Sequence, residues 1–100
     1  MTIKKVILDA INDQINAELY SAYIYLSMAS YFESINLKGF SNWMRVQTQE
    51  EIVHAMKFYD YVVERGGSVI LTKINAPPTK WKSPIDAFIF TYKHLTPRLS

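Results

Sequence analysis

Cysteine is absent from this chain, which excludes disulfides and zinc–thiolate sites. Glycine and proline are scarce, three and four in 100 residues, and none of them precedes Gly39. The first third of the chain is therefore free of helix breakers. No long hydrophobic run is present either. The most apolar window, "SAYIYLSMA", falls far short of the roughly 20 residues a membrane span needs. The N-terminal "MTIKKVILDAIND" starts basic, but Asp9 and Asp13 interrupt the apolar stretch that a signal peptide requires. An excess of one charge is also missing. Eleven Lys and Arg stand against nine Asp and Glu, a net charge of +2, and the basic residues are scattered rather than striped. That pattern argues against a nucleic-acid partner. The expectation is a soluble, cytoplasmic protein that binds neither nucleic acid nor membrane.

About half of the residues are hydrophobic and a fifth are charged, a globular composition long enough for one domain. Fourteen per cent are aromatic, seven of them tyrosines, which suits large contact surfaces with a polar edge.

Periodicity sets the architecture. From about Thr2 to Ser34, Leu8, Ile11, Ile15, Glu18, Ala22, Tyr25, Ala29 and Phe32 recur at steps of three and four, one face of a helix about 45–50 Å long. "SINLKG" breaks the pattern with a loop short enough to force an antiparallel neighbour. That second helix runs from about residue 39 to 65, with Phe40, Met44, Gln47, Glu51, His54, Ala55, Phe58 and Val62 as its stripe and Gly66-Gly67 as its stop. Residues 66–82 read as a long crossover. "VILTKI" has strand character but no visible pairing partner, and Pro77-Pro78 excludes helix. Ser83 as N-cap, Pro84 at the first helical position and Asp86 in capping-box spacing open a third helix over about 84–95, which Pro97 stops. The fold class is all-α, a helical hairpin with a partial third helix in an incomplete four-helix bundle. Such a bundle is expected to be completed by self-association. Tyr20, Ile24 and Tyr31, opposite Glu18, are expected on the water side of the first helix, as a contact surface for another chain.

Charged residues interrupt both stripes at their centres. Glu51 and His54 have the Glu-x-x-His spacing that places both side chains on one helix face, and Glu18 lies level with them on the antiparallel partner. Glu-x-x-His alone is a weak signal, and most such pairs are solvated helix surface. Two carboxylates facing each other in an apolar layer are another matter, because desolvation penalises them heavily unless a cation neutralises them. Carboxylate and imidazole donors suit iron, manganese or zinc. Di-iron bundles take one Glu from each of two helices and a Glu-x-x-His from each of the other two, so this chain carries half of such a set. Tyr25, two turns from Glu18, is either a hydroxyl beside the centre or a packing residue. Glu50, about 100° around the helix from Glu51, is either an auxiliary ligand or a solvated charge. His94 reads as a surface residue, and Phe40, Trp43 and the methionines read as core.

"INDQINAELYSAYIYLSMASYF" at residues 11–32, "GFSNWMRVQTQEEIVHAMKFYDYVVERGG" at 39–67 and "PPTKWKSPIDAFIFTYKH" at 77–94 closely resemble the non-haem ferritins of bacteria and archaea. The resemblance implies a four-helix fold in a many-subunit cage. It also implies oxidation of Fe(II) by O2 or H2O2 at a di-iron centre, with storage of the ferric product. By the same resemblance Glu18, Glu51 and His54 are metal ligands, with Glu51 bridging two irons. Tyr25 is the tyrosine at the catalytic centre, and Glu50 is a ligand of an accessory iron. Ile52, where the haem-binding relatives have methionine, speaks against haem. After "YKH" the resemblance calls for a glutamate on the second iron, and this chain has Leu95 followed by "TPRLS". The expectation is a truncated or frameshifted member. It would complete its site with a second copy, co-assemble with a full-length relative, or persist as an interaction module without catalysis.

Overall fold

A computed structural model describes residues 3–95. Three helices account for the regular structure: α1 over Lys5–Ser34, α2 over Lys38–Glu64 and α3 over Pro84–His94. Among the described residues there is no strand, and no helix is long and apolar enough to cross a membrane. The all-α hairpin with a short third helix is thus as expected. Pro97 and Thr2, named above as a stop and a start, lie outside the described residues.

Two tight caps make the hairpin. At the end of α1 the Asn36 N–H donates to the Glu33 carbonyl and the Leu37 N–H to the Phe32 carbonyl, at 3.1 and 2.9 Å. Asn36 sits at φ 62°, which asparagine tolerates better than most residues. The end of α2 repeats the arrangement. Gly66, at φ 74°, donates to Val63 and Gly67 donates to Val62. A side chain at Gly67 would come within 3.1 Å of Leu8 and Val62, so glycine also permits a close approach there. Between these caps α1 and α2 pack along their lengths as an antiparallel pair, in a body of 51 × 22 × 19 Å.

The crossover turns out to have a pairing partner after all. Asn12 Nδ2 donates to the Ser68 carbonyl and Asn12 Oδ1 accepts from the Ile70 N–H. One turn on, Asn16 Nδ2 donates to the Ile70 carbonyl and Oδ1 accepts from the Thr72 N–H. Two side-chain amides on α1 thus do what a neighbouring strand would do for alternate residues of an extended segment. Ser27 Oγ donates to the Pro78 carbonyl farther along. Trp81 then packs against Tyr31 and Phe90, and Ser83 Oγ caps α3 by accepting from the Asp86 N–H.

This path corrects the reading of the second face of α1. Ile24 is 1% exposed and belongs to the core with Tyr25, Met28, Ala29, Phe32, Met44, Ala87 and Leu95, while Tyr20 and Tyr31 pack half-buried against it. The chain covers that face itself, because the crossover and α3 return over it. The opposite correction applies to Phe40 and Trp43, which are each 45% exposed. Both flank Phe88, with ring centroids 5.2 and 6.1 Å away. A single short helix covers one side of these rings and leaves the other open as an apolar hollow shared with Leu37. Met28 and Met44 are core as expected, but Met56 is exposed, since its position on α2 faces away from α1. His94 is exposed and lies against the Phe90 ring.

Candidate metal centre

Glu18 and Glu51 stand near the midpoints of α1 and α2, and the antiparallel register set by the three-residue connection brings them level. Both are buried, at 3% and 1% exposure. His54, one turn beyond Glu51, leans in from the half-open side. Its Nδ1 lies 3.4 Å from Glu51 Oε1 and 3.6 Å from Glu18 Oε2, too long for good hydrogen bonds. One donor atom from each of the three residues lies within 4.8 Å of the others. Ligand bonds to a transition metal are about 2.0–2.2 Å, so small side-chain rotations would let all three share one ion.

The polar atoms here are poorly satisfied by the protein. Glu18 Oε1 accepts from Gln14 Nε2 at 2.7 Å. Glu18 Oε2, Glu51 Oε2 and Ser21 Oγ are buried with no hydrogen-bond partner. Buried polar atoms are seldom left unpaired, and charged ones are the most costly. Burial, the adjacent Glu18 carboxylate and then Glu50 push the Glu51 carboxyl up to about 8, so near neutrality the cation-free Glu18–Glu51 pair shares one proton. The donor set fits a hard or borderline divalent cation, which would displace that proton and occupy both orphaned oxygens.

Tyr25 is fully buried in the core, and its hydroxyl pKa is pushed up to about 12 by burial and by Glu51, Glu18 and Glu50. It stays a neutral phenol at any ordinary pH and can only donate or accept a hydrogen bond. Glu50 is exposed and is not one of the three residues that converge, although its charge reaches Glu51 and Tyr25. Leu95 is 1% exposed, packed in the apolar core. One residue of the centre escaped the sequence reading. Gln14 had a usable signal, its position four residues before Glu18.

The sequence matches the ferritin-like domain family over residues 8–97. It is 44% identical over 86 residues to a bacterial non-heme ferritin of Bacteroides fragilis, covering 86% of this chain and 54% of that one. A bacterial non-heme ferritin of Staphylococcus saprophyticus is 38% identical over a stretch of the same length, 52% of its own. The chain spans about half the length of these curated relatives. Among solved structures, an Archaeoglobus fulgidus ferritin engineered into a closed form superposes with a TM-score of 0.92 at 59% identity, covering 97% of this chain and 59% of that one. The open-pore ferritin of the same archaeon superposes at 0.91 with 58% identity, covering 98% and 62%.

Proposed function

This chain belongs to the ferritin-like family, and from that premise we propose that it takes up ferrous iron at Glu18, Glu51 and His54 and delivers it to oxidation and storage. The observation that carries the reading is the pair of buried carboxylates whose Oε2 atoms have no partner in the protein, with an imidazole beside them. In this reading iron is the substrate and the three side chains are its landing site. Each Fe(II) gives up one electron; O2 accepts two electrons and two protons and leaves as H2O2. Two irons must therefore react together, and one chain offers a single three-donor set among its described residues. The second set is proposed to come from another copy or from a longer relative in a shared assembly, where the ferric product is stored. Glu50, exposed beside the centre, is proposed as an accessory ligand on the way in, and Tyr25 as the neutral hydroxyl beside the reacting pair. A cytoplasmic setting, where ferrous iron is kept reduced, belongs to the same proposal.

The test is a titration of Fe(II) into the purified 100-residue chain under air, followed by the ferric absorbance, with Glu51→Ala alongside. Oxidation faster than in buffer, lost in the variant, is the expected result. A rate equal to that of buffer overturns the catalytic part.

One observation favours a second reading. Leu95 is locked into the apolar core at the place where the resemblance calls for a carboxylate on the second iron. On that reading the chain binds iron without oxidising it, or acts as an assembly module alone. Light scattering of the chain alone and mixed with a longer relative separates them. A homogeneous oligomer of the chain alone supports the iron-handling reading, and incorporation only into the longer partner supports the module.

A further inference from the structure

We infer that Gln14 is a positioning residue of the centre, whose side-chain amide ties down one oxygen of Glu18 and so presents the other to the ion. The inference rests on the metal reading above. Gln14 lies four residues before Glu18 on α1, so the two side chains stack on the same helix face. Its Nε2 donates to Glu18 Oε1 at 2.7 Å, the short end of the usual range for an N–H donor to oxygen. The orientation of the amide follows from chemistry, since the reverse would set its carbonyl oxygen against a carboxylate.

The consequence lies in the other oxygen. Glu18 is 3% exposed, so water has little access to it. Oε2 has no hydrogen-bond partner and is the oxygen 3.6 Å from His54 Nδ1. That nitrogen is in turn 3.4 Å from Glu51 Oε1. The tethered oxygen is thus engaged by Gln14 while the free one meets the remaining donors. A carboxylate with both oxygens free can turn and bind an ion through both. With Oε1 held, Glu18 offers one. Gln14 thereby sets the coordination at Glu18 and leaves positions on the ion open to other ligands. Supporting groups of this kind, when removed, lower metal affinity about 10–100-fold.

Gln14→Met tests it, because methionine has similar length, favours helix and cannot donate. Co(II) is the probe, titrated anaerobically into parent, Gln14→Met and Glu18→Ala chains, reading the dissociation constant and the visible d–d bands. Gln14→Met is expected to bind about 10–100-fold more weakly, with bands altered in intensity by a two-oxygen Glu18, and to melt somewhat below the parent without metal because Glu18 Oε1 loses its partner. If Gln14→Met keeps the parent's affinity and bands while Glu18→Ala loses binding, Gln14 has no such role and the metal centre stands. Weaker binding with unchanged bands also overturns it, as a merely structural effect. If the parent does not bind Co(II), or Glu18→Ala binds equally well, the metal reading fails and takes this inference with it. Should Gln14→Met not fold, Gln14→Leu, which likewise cannot donate and adds no ligand, must show the same change in the bands.

Discussion

Two stretches of the same hairpin bury their side chains by opposite chemistry. Where α3 lies over it, Phe32 meets Phe40 and Phe88 at ring separations of 5.5 and 5.6 Å, and Met28, Met44, Ala87 and Leu95 fill the remaining space. Two turns along α2 from Met44, the same pair of helices encloses Glu18 and Glu51 with unpaired oxygens. The first region gains stability from every atom it buries. The second gives stability up, since buried carboxylate oxygens without partners are costly. Stability and the proposed binding are therefore assigned to different segments of one helix pair, and variants should separate them.

The largest effect belongs to the apolar end. Phe32→Ala empties a fully buried site, with an expected loss of about 3–5 kcal/mol in urea unfolding. Where the variant still folds, its affinity for Co(II) at the distant carboxylates should change little. A large loss of affinity would show that the two regions are not separable.

The polar centre should reveal itself through pH. Glu51 is pushed up to about 8 in the folded chain, whereas unfolded glutamate ionises near 4.3. The folded state thus holds a proton that the unfolded state has released over the interval between. Stability is fully present below the lower value, falls as pH rises toward 8 and is flat beyond. In chelator the melting temperature should drop between pH 5 and pH 8, by about 5 °C or more, since one kcal/mol corresponds to about 4–8 °C in a domain of this size. Glu51→Gln should abolish the drop, and Mn(II) at pH 8 should reverse it in the parent alone. A parent whose melting point does not change across that range would refute the assigned proton.

A smaller effect attaches to the clamp on the crossover. Asn12→Ala removes two hydrogen bonds to residues 68 and 70, with an expected loss of about 1–3 kcal/mol. Hydrogen exchange should speed up at the Ile70 amide, while the amides of α2 stay protected. Uniform acceleration would mean that the crossover is integral to the hairpin rather than laid over it.

Much of this was legible in the residue order. The three–four spacing on α1 placed Ile15, Glu18, Ala22, Tyr25, Ala29 and Phe32 on one face, and all six are buried. Ser83-Pro84-Asp86 marked the start of α3 for a local reason, since a cap is made by neighbours in sequence. Long-range partners were not legible. Ile24 and Tyr31 looked like a wet face because nothing in α1 says that the crossover will return over them. Phe40 and Trp43 looked like core because hydrophobicity does not reveal how much cover a neighbour supplies. "VILTKI" lacked a partner only while partners were sought among strands, when two asparagines 54–58 residues earlier supplied it.

By itself the sequence determined the helices, their ends and the side chains that share a face, because backbone propensity, caps and the 3.6-residue period are local properties. It also determined that two carboxylates and a histidine would occupy the middle of the apolar stripes. Only the tertiary structure decided that these three meet within one ion's reach, and which of their oxygens remain unpaired. Only it decided that Leu95 sits in the core and that Gln14 holds one oxygen of Glu18. Distance, burial and hydrogen-bond saturation depend on what the rest of the chain brings alongside, and no local pattern encodes that.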